Sequence, residues 1–363
     1  MKKIEIELRE KTYPIFIGAG ILRNFDKIID ASFKNERIAV AADKRVVKLH
    51  RQKLLPLINM KKRKAEVFLF DASEKNKNLA GISKIYSFLQ ERNYGRDSLI
   101  VSAGGGITGD TAAFAASTYM RGIKYVNIPT TLLSAVDSSI GGKTGVNFNG
   151  IKNFIGTFYH PEFVIIDTEF FATLPADEII CGLGELVKTA FLAGGKFYNS
   201  LYNSIEEIAG GNFKGIENII YDAVSFKAGV VASDEKEKGL RKILNLGHTF
   251  AHAVEKESGF AVKHGQAVIF GIVAALSLSK NMALVTARDY ASELEFIGKI
   301  KKKIKVPLIS PEILYDAMLS DKKNRSGRIK FVLPGMPGNA VIDAEADKKQ
   351  VLKAIVTAYN YFK

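Results

Sequence analysis

Three of the five histidines in this 363-residue chain lie near one another in the sequence, and imidazole is a common ligand of divalent metal ions. His248 and His252 are spaced to share one face of a helix, and His264 follows them. Upstream, Glu185 and Lys188 lie in an otherwise apolar segment, where a carboxylate needs an ion pair, hydrogen bonds or a metal. Two histidines and one glutamate are a ligand set of catalytic zinc. The pattern predicts a metal site, and spacing alone leaves open which two histidines are ligands.

A glycine-rich segment follows a predicted buried strand. Residues 98–103 (SLIVSA) predict the strand, 104–110 (GGGITGD) follow it, and 111–117 predict a helix of small residues. Glycines let a phosphate approach the backbone, and a helix N-terminus favours an anion. The spacing matches GxGxxG, but the acidic residue expected about 20 positions later is missing, because 128–131 (IPTT) stands there. We predict a pyrophosphate-binding turn in a non-standard dinucleotide-binding domain, with a tight structural turn as the alternative.

The segment 128–143 (IPTTLLSAVDSSIGGK) combines hydroxyls, one aspartate and two glycines before a lysine. Such groups bind the phosphates or the ribose of a nucleotide. A buried polar loop is the alternative, but the density of these groups favours nucleotide binding.

Basic residues outnumber acidic ones by 52 to 38, which gives a formal net charge of +14. Such a balance is typical of proteins that bind nucleic acid, an anionic surface or an anionic small molecule. The basic runs 61–64 and 299–305 lack interleaved aromatic residues, so we interpret them as solvated faces and expect no nucleic-acid partner. Lys227, Arg241 and Lys242 precede the histidine cluster. Cations near a metal site and a nucleotide site indicate a small, doubly anionic substrate that undergoes redox chemistry.

Composition and the terminal segment limit the class of protein. Apolar residues make up 47% of the chain and charged residues 25%, as in globular proteins. The single cysteine, Cys181, excludes an intramolecular disulfide and a cysteine-rich metal cluster. Residues 1–7 (MKKIEIE) lack the apolar core of a signal peptide, and the apolar stretch 267–278 is too short to span a bilayer. We expect a soluble, cytoplasmic protein without a membrane partner.

The elements that must position these groups change in type along the chain. Alternating residues over 3–8 and 13–17 predict a hairpin, and 79–91 has helical spacing. The other predicted strands of this half are 37–42, 66–70, 98–103, 124–128 and 163–166. Strand, helix and strand in series predict a parallel sheet covered by helices.

From about Pro175 onward nearly every long segment has helical spacing, and only 329–333 and 340–342 resemble strands. The predicted helices are 179–192, 216–233, 249–258, 265–280 and 287–303. A proline suits the first turn of a helix, so we place a boundary at 174/175. The prediction is an α/β nucleotide-binding domain over 1–174, with a Rossmann-like parallel sheet of non-standard type, and an all-α metal- and substrate-binding domain over 175–363.

Several short motifs, in their order and spacing, resemble those of the sugar-phosphate cyclase family, in particular its dehydroquinate-forming members. The resemblance covers nearly the whole chain. The motifs are 104–110 (GGGITGD), 128–147 (IPTTLLSAVDSSIGGKTGVN), 151–158 (IKNFIGTF), 173–175 (TLP), 182–188 (GLGELVK), 244–255 (LNLGHTFAHAVE), 264–265 (HG) and 321–323 (DKK). The resemblance implies an N-terminal NAD-binding domain, a C-terminal helical domain and an active site between them.

The resemblance also implies a role for each matching residue. Zinc, or cobalt in its place, would bind Glu185, His248 and His264. The residues implied around the substrate hydroxyls are Asp137, Lys188, Asn245 and Glu185. Those implied at the substrate carboxylate are Lys227 and Arg241, and those implied at its phosphate are Lys152, Asn153, His252 and Lys323. Arg121 would reach the phosphate from the second subunit of a homodimer.

For NAD, the residues implied by the resemblance are Asp43, Glu74, Lys77, Gly105, Gly106, Ile107, Asp110, Thr130, Thr131, Lys143 and Thr173. Which lysine of 322 and 323 contacts the phosphate stays open. Gly184, Gln266 and Arg45 depart from the residues usual in the family, but none of them removes a ligand or a cation, so we expect an active enzyme.

The implied substrate is 3-deoxy-D-arabino-heptulosonate 7-phosphate, and the implied products are 3-dehydroquinate and phosphate of the shikimate pathway. The implied steps are transient oxidation by NAD, elimination of phosphate, re-reduction and intramolecular aldol closure. One alternative is another sugar-phosphate cyclase, whose substrate lacks the carboxylate. The other is a metal-dependent polyol or glycerol dehydrogenase, which releases NADH. Lys227 and Arg241 favour the carboxylated substrate.

Overall fold

The computed structural model describes residues 1–33, 37–60, 62–320 and 328–363. In chain order, the strands are β1 (Lys2–Glu7), β2 (Thr12–Gly18), β3 (Arg37–Asp43), β4 (Lys64–Phe70), β5 (Leu99–Gly104), β6 (Lys124–Pro129), β7 (Val146–Phe148), β8 (Ile151–Ile155), β9 (Val164–Asp167), β10 (Phe331–Pro334) and β11 (Ala340–Ala344). The α-helices are α1 (Phe25–Ser32), α2 (Lys44–Ile58), α3 (Leu79–Glu91), α4 (Gly106–Thr118), α5 (Ala176–Ala193), α6 (Gly195–Ala209), α7 (Ile216–Ser233), α8 (His248–Glu257), α9 (His264–Asn281), α10 (Ala287–Gly298), α11 (Pro311–Leu319) and α12 (Lys348–Phe362).

The chain divides into two units. The first comprises Met1–Leu174 and Gly215–Lys236, and the second comprises Pro175–Lys214 and Glu237–Lys363. The predicted division differs for Gly215–Lys236, which it places in the second domain. This segment groups with the first unit because α7 packs against β1 and β2. Helical periodicity identified α7 but carries no information about which sheet the helix covers.

The first unit contains a seven-stranded sheet in the order β1-β2-β9-β6-β5-β3-β4. β1 and β2 pair antiparallel, and the other neighbouring strands are parallel. Parallel sheets are covered on both faces, which is why every residue of β5 is buried and its sequence is continuously apolar or small. The predicted parallel α/β sheet is confirmed.

The strand order creates a topological switch point between β3 and β5. From β3 the chain runs outward to β4, whereas from β5 it runs in the opposite direction to β6 and β9. The connections that leave the carboxyl ends of two such strands run in opposite directions. They leave a crevice between them in which ligands bind. Asp43 ends β3 and Gly104 ends β5, so the topology places both at this crevice.

Helix α9 forms the centre of the second unit. It packs against α5, α8 and α12, and nearly all of its residues are buried, as expected of a helix that is apolar on every face. The predicted helical domain is confirmed, and the two extended segments form the hairpin β10–β11. The predicted helix 287–303 is too long, since α10 ends at Gly298. Among the described residues, no helix combines the length and apolarity needed to cross a bilayer.

Glu293 on α10 is a buried carboxylate outside the predicted site. Only 1% of the residue is exposed, and within the described chain neither carboxylate oxygen has a hydrogen-bond partner. Burial, reinforced by Asp289, raises the pKa of Glu293 to about 8 from a reference value of 4.5. The unfolded chain therefore releases this proton at a lower pH than the folded chain does.

We predict that Glu293→Gln stabilises the protein in a pH-dependent way. The protonated carboxyl costs no charge burial below pH 4.5, so the wild type loses stability as the pH rises from about 4.5 to 8. At pH 8 the variant should be more stable by roughly 2–4 kcal/mol, and near pH 4.5 the difference should vanish. Denaturant unfolding at both pH values measures this. Glu295→Gln, at an exposed position of the same helix, serves as the control, and an equal gain at both pH values would contradict the prediction.

Candidate metal centre and substrate-binding residues

Glu185 and His264 lie beside a crossing at which the backbones of α5 and α9 touch. Glu185 follows Gly184, and His264 precedes Gly265. A Cβ atom on Gly265 would lie 1.9 Å from the carbonyl oxygen of Cys181, and one on Gly184 would lie 2.3 Å from the carbonyl oxygen of Gly265. The two glycines therefore allow the close approach that brings Glu185 to His264.

His248 begins α8 directly after Gly247, whose φ of 75° is left-handed. α8 packs on α9, and a Cβ atom on Gly271 of α9 would lie 2.1 Å from the carbonyl oxygen of Gly247. This second close backbone contact fixes the start of α8 against α9 and, with it, the position of His248.

One ligand atom from each of Glu185, His248 and His264 lies within 4.8 Å of the other two. Oε1 of Glu185 is 3.3 Å from Nε2 of His264 and 3.6 Å from Nε2 of His248. These separations suit three atoms that each bind one ion at about 2 Å. His252 is not part of this group, although its ring packs edge-on against that of His248.

Glu185 is fully buried, with 0% of its surface exposed. Its carboxylate pairs with Lys188, yet neither oxygen accepts a hydrogen bond of good geometry from the described part of the chain. Burial alone would raise the pKa of Glu185, but Lys188 and His264 outweigh it and hold the pKa well below its usual range. An ionised, buried carboxylate whose oxygens lack hydrogen bonds suits a bound cation.

The second ring nitrogen of each histidine is engaged. Nδ1 of His248 lies 3.1 Å from the carbonyl oxygen of Leu246, which can only accept, so Nδ1 is the donor. Nδ1 of His264 lies 3.1 Å from Oε2 of Glu255 and donates to that carboxylate. In a neutral imidazole, Nε2 then carries the lone pair that binds a metal.

The two rings differ in charge when no metal is bound. Burial and the nearby Lys188 ammonium lower the pKa of His248 well below its usual value, so this ring is neutral. Burial would also lower the pKa of His264, but Glu185 and Glu255 outweigh it and raise the pKa to about 10. A divalent ion would replace this proton as the charge that offsets the carboxylates. Donor types, burial and geometry together fit zinc or cobalt.

Arg241 and Asn245 lie on a short 3-10 helix, Leu240–Asn245, that leads into α8. Arg241 is buried, and Nδ2 of Asn245 donates to Oε1 of Glu237 at 2.7 Å. That hydrogen bond fixes which end of the amide is the acceptor, because Oδ1 must then face away from Glu237. Lys323, which the resemblance implies at the phosphate, lies outside the described residues.

In the first unit, predicted nucleotide-binding residues gather at the carboxyl ends of the strands. Helix α4 begins after Gly105, directly beyond β5, and no side chain caps its first turn. The amides of Gly106 and Ile107 at this uncapped turn suit an anion. Thr130 follows β6 and donates its amide hydrogen to the carbonyl oxygen of Gly104 at 2.9 Å. A Cβ atom on Gly105 would lie 3.1 Å from the methyl group of Thr131, so the turn is tightly packed.

Lys77 joins residues predicted for the nucleotide to residues predicted for the phosphate. Its Nζ donates to Oδ2 of Asp110 at 2.5 Å and to Oδ1 of Asn153 at 2.6 Å. Burial raises the pKa of Asp110, although Lys77 opposes that rise. Lys152 is adjacent to Asn153 on β8, and its Nζ is 3.8 Å from a carboxylate oxygen of Glu74. Both predicted groups therefore share one polar cluster.

Asp137 and Lys227 form an ion pair within the first unit. Asp137 lies in a single π-helical turn, Ser134–Ser138. Nζ of Lys227 on α7 donates to the carbonyl oxygen of Asp137 at 2.7 Å and also to its carboxylate. Lys227, one of the two residues implied at the substrate carboxylate, is thus in direct contact with Asp137, which is implied at the substrate hydroxyls.

Asp43 and Thr173 each have a local hydrogen-bond partner. Asp43 caps α2 by accepting the amide hydrogen of Arg45 at 2.8 Å, and burial raises the pKa of Asp43. Oγ1 of Thr173 lies 2.6 Å from Nε2 of His50.

Lys143 lies outside the named helices and strands, and Arg121 ends a short 3-10 helix, Tyr119–Arg121. Lys143 follows two glycines of positive φ and forms an isolated β-bridge with Phe158. Arg121 is exposed and has a left-handed φ of 72°.

Glu255 and Glu237 contact predicted site residues but were not themselves predicted. Glu255 is the last residue of the motif 244–255, and its place in that motif was the one sequence feature that could have identified it as a site residue. An acidic residue on a helix usually lies on a solvated face, whereas Glu255 is buried against His264. For Glu237 the sequence offered no comparable signal.

Two family models match adjacent parts of the chain: 3-dehydroquinate synthase N-terminal over residues 67–181, and 3-dehydroquinate synthase C-terminal over residues 182–324. A 3-dehydroquinate synthase from Pelagibacter ubique is 38% identical over 358 residues, which are 96% of each chain. The similarity therefore extends through both units.

Solved structures of similar fold carry a nucleotide and a metal. A 2-deoxy-scyllo-inosose synthase complexed with carbaglucose-6-phosphate, NAD+ and Co2+ matches with a TM-score of 0.89 at 24% identity, over 98% of this chain and 99% of that chain. A 2-epi-5-epi-valiolone synthase from Streptomyces hygroscopicus subsp. jinggangensis, with NAD+ and Zn2+ bound, matches with a TM-score of 0.88 at 25% identity, over 98% of each chain.

Proposed function

The chain belongs to the 3-dehydroquinate synthase family, and from this membership we propose how its residues divide the work of the family's reaction. The enzyme converts 3-deoxy-D-arabino-heptulosonate 7-phosphate to 3-dehydroquinate and phosphate, and it uses NAD and a divalent metal. The observation that carries this conclusion is 38% identity to a 3-dehydroquinate synthase over 96% of the chain. When bound, the ion and NAD supply Lewis acidity and a reversible hydride acceptor, and the overall reaction consumes neither.

Glu185, His248 and His264 hold the metal in this proposal. Their support is the convergence of three donor atoms and the burial of Glu185. Lys188 keeps Glu185 ionised and, beside it, offers an ammonium to a substrate hydroxyl.

Asn245 and Asp137 orient the substrate hydroxyls. Glu237 occupies the amide nitrogen of Asn245, so Oδ1 of Asn245 is directed to accept a hydrogen bond. Asp137 offers a carboxylate that Lys227 now binds. Such hydrogen bonds at fixed positions favour one orientation of the substrate over all others.

Charged residues bind the two anionic ends of the substrate. At the carboxylate we place Arg241, whose planar guanidinium donates two parallel hydrogen bonds, and Lys227. At the phosphate we place Lys152, Asn153, His252 and Lys323. The support is the polar or charged character of these side chains. For Asn153 and Lys152 it is also their contacts with Lys77 and Glu74, respectively, which are predicted to bind the nucleotide.

NAD binds the first unit at the switch point of the sheet. The uncapped N-terminus of α4 receives the pyrophosphate, since its amides and helix dipole favour an anion. The contributing residues are Asp43, Glu74, Lys77, Gly105, Gly106, Ile107, Asp110, Thr130, Thr131, Lys143 and Thr173. The enzyme works in the cytoplasm as a homodimer, in which Arg121 of one subunit completes the phosphate site of the other.

One assay tests the function against its alternatives. Purified enzyme with the heptulosonate phosphate, NAD+ and Zn2+ or Co2+ should release phosphate and dehydroquinate in equal amounts, without net formation of NADH. A hexose 6-phosphate without a carboxylate is the control substrate. Turnover of the hexose phosphate alone would indicate another cyclase of the family. Accumulation of NADH, followed by its near-ultraviolet absorbance, would indicate a polyol dehydrogenase.

A further inference from the structure

A carboxylate oxygen lies close to each nitrogen of the His264 ring. Nε2 lies 3.3 Å from Oε1 of Glu185, and Nδ1 lies 3.1 Å from Oε2 of Glu255. Glu255 lies near the end of α8, is 7% exposed, and is the one of these two carboxylates outside the proposed ligand set. The ring therefore cannot rotate about its χ2 bond without breaking at least one of two polar contacts.

We propose that Glu255 is a positioning residue for the metal centre: it fixes the ring of His264 with Nε2 toward the ion and increases the affinity of the site. The inference rests on the proposed ligand set. A carboxylate that accepts the Nδ1 hydrogen makes an imidazole a stronger donor at Nε2 than a neutral carbonyl acceptor does. This chain has one histidine of each kind: Nδ1 of His264 donates to a carboxylate, whereas Nδ1 of His248 donates to the carbonyl oxygen of Leu246.

The position of Glu255 explains why it is suited to this task. Helix α8 begins with His248 and carries Glu255 close to its end, whereas α9 begins with His264. The hydrogen bond from His264 to Glu255 therefore ties the first residue of α9 back to the helix that holds another proposed ligand. Lys263, the residue before His264, pairs with Glu178 of α5, the helix that holds Glu185. The three ligand-bearing helices are thus joined by ionic contacts beside the site.

Charge also favours this role. A divalent ion bound by Glu185 and two neutral histidines leaves one positive charge, which the Glu255 carboxylate offsets through the ring of His264. A buried carboxylate needs a strong donor to remain ionised, and a metal-bound imidazole is such a donor. Glu255 and the metal therefore stabilise each other through the same ring.

The test is the metal affinity of Glu255→Gln, measured in competition with a chromophoric chelator for Zn2+ and Co2+. Glutamine keeps the size and an acceptor oxygen but removes the charge, so the site should still bind one ion with an affinity roughly 10–100-fold lower. The visible absorption bands of bound Co2+ should shift as the donor strength of His264 changes. Glu257→Gln is the matched control, because Glu257 is exposed on the same helix and pairs with Lys256.

Two outcomes separate this inference from the ligand set on which it rests. If Glu255→Gln binds both ions as tightly as Glu257→Gln does, with unchanged cobalt bands, Glu255 has no positioning role. If His264→Ala keeps wild-type affinity, the ligand set itself is wrong. Circular dichroism of the metal-free proteins checks folding. Should Glu255→Gln not fold, Glu255→Asp keeps the charge but withdraws the acceptor, and it must also bind metal more weakly than the control if the proposal holds.

Discussion

Glu185→Gln will lose metal-dependent turnover by at least roughly 100-fold, because even an outer partner of a metal ligand contributes 10–100-fold. Glutamine keeps the shape of the side chain but removes the negative charge that a divalent ion needs. It also leaves the buried Lys188 without its counter-ion, so the free energy of unfolding should fall by about 3–5 kcal/mol. Phosphate release at increasing Zn2+ concentration measures the first effect, and denaturant unfolding measures the second.

Asp177→Asn is the control for this variant, since Asp177 lies exposed in the first turn of the same helix, α5. It should retain the wild-type response to metal. Full turnover of Glu185→Gln in the presence of a chelator would contradict the proposed metal centre, whatever its effect on stability.

Arg241→Ala should raise the KM for the heptulosonate phosphate by about 100-fold or more while leaving the affinity for NAD unchanged. Two charge-assisted hydrogen bonds to a carboxylate, each worth about 1.5–3 kcal/mol, account for a loss of this size. Steady-state kinetics give the KM, and equilibrium titration of the metal-loaded enzyme with NAD+ gives the cofactor affinity.

Lys242→Ala is the matched control, because Lys242 is the next residue, its ammonium pairs with Asp343 at 2.8 Å, and it has no proposed role in binding. An Arg241→Ala effect confined to NAD affinity would remove this residue from the carboxylate site. It would also reopen the alternative of a substrate without a carboxylate.

Periodicity was sufficient to predict the fold class. The apolar runs that became β3, β5 and β6 are continuous because both faces of a parallel sheet are covered, and the contrast with the helical second half was visible directly. The hairpin β7–β8 was not predicted, because β7 has only three residues and the hairpin is largely exposed. That hairpin carries Lys152 and Asn153, which only the resemblance identified.

The histidine pair shows where spacing stops being informative. His248 and His252 are spaced to share a helix face, but His264 lies only twelve residues after His252. Spacing alone therefore does not decide which two of the three histidines bind the metal. In the structure, the histidine that joins Glu185 and His248 is His264, because the backbones of α5 and α9 touch at Gly184 and Gly265. A contact between distant segments at two glycines leaves no periodic signal. Spacing also does not distinguish Glu255 from a solvated acidic residue, because its burial against His264 depends on how α8 and α9 pack.

The most direct test of the metal centre is a crystal of the zinc-loaded enzyme measured on either side of the zinc absorption edge. We expect one anomalous peak about 2 Å from Nε2 of His248, Nε2 of His264 and a carboxylate oxygen of Glu185. A zinc ion bound to His252 in place of His264, or bound away from Glu185, would contradict it.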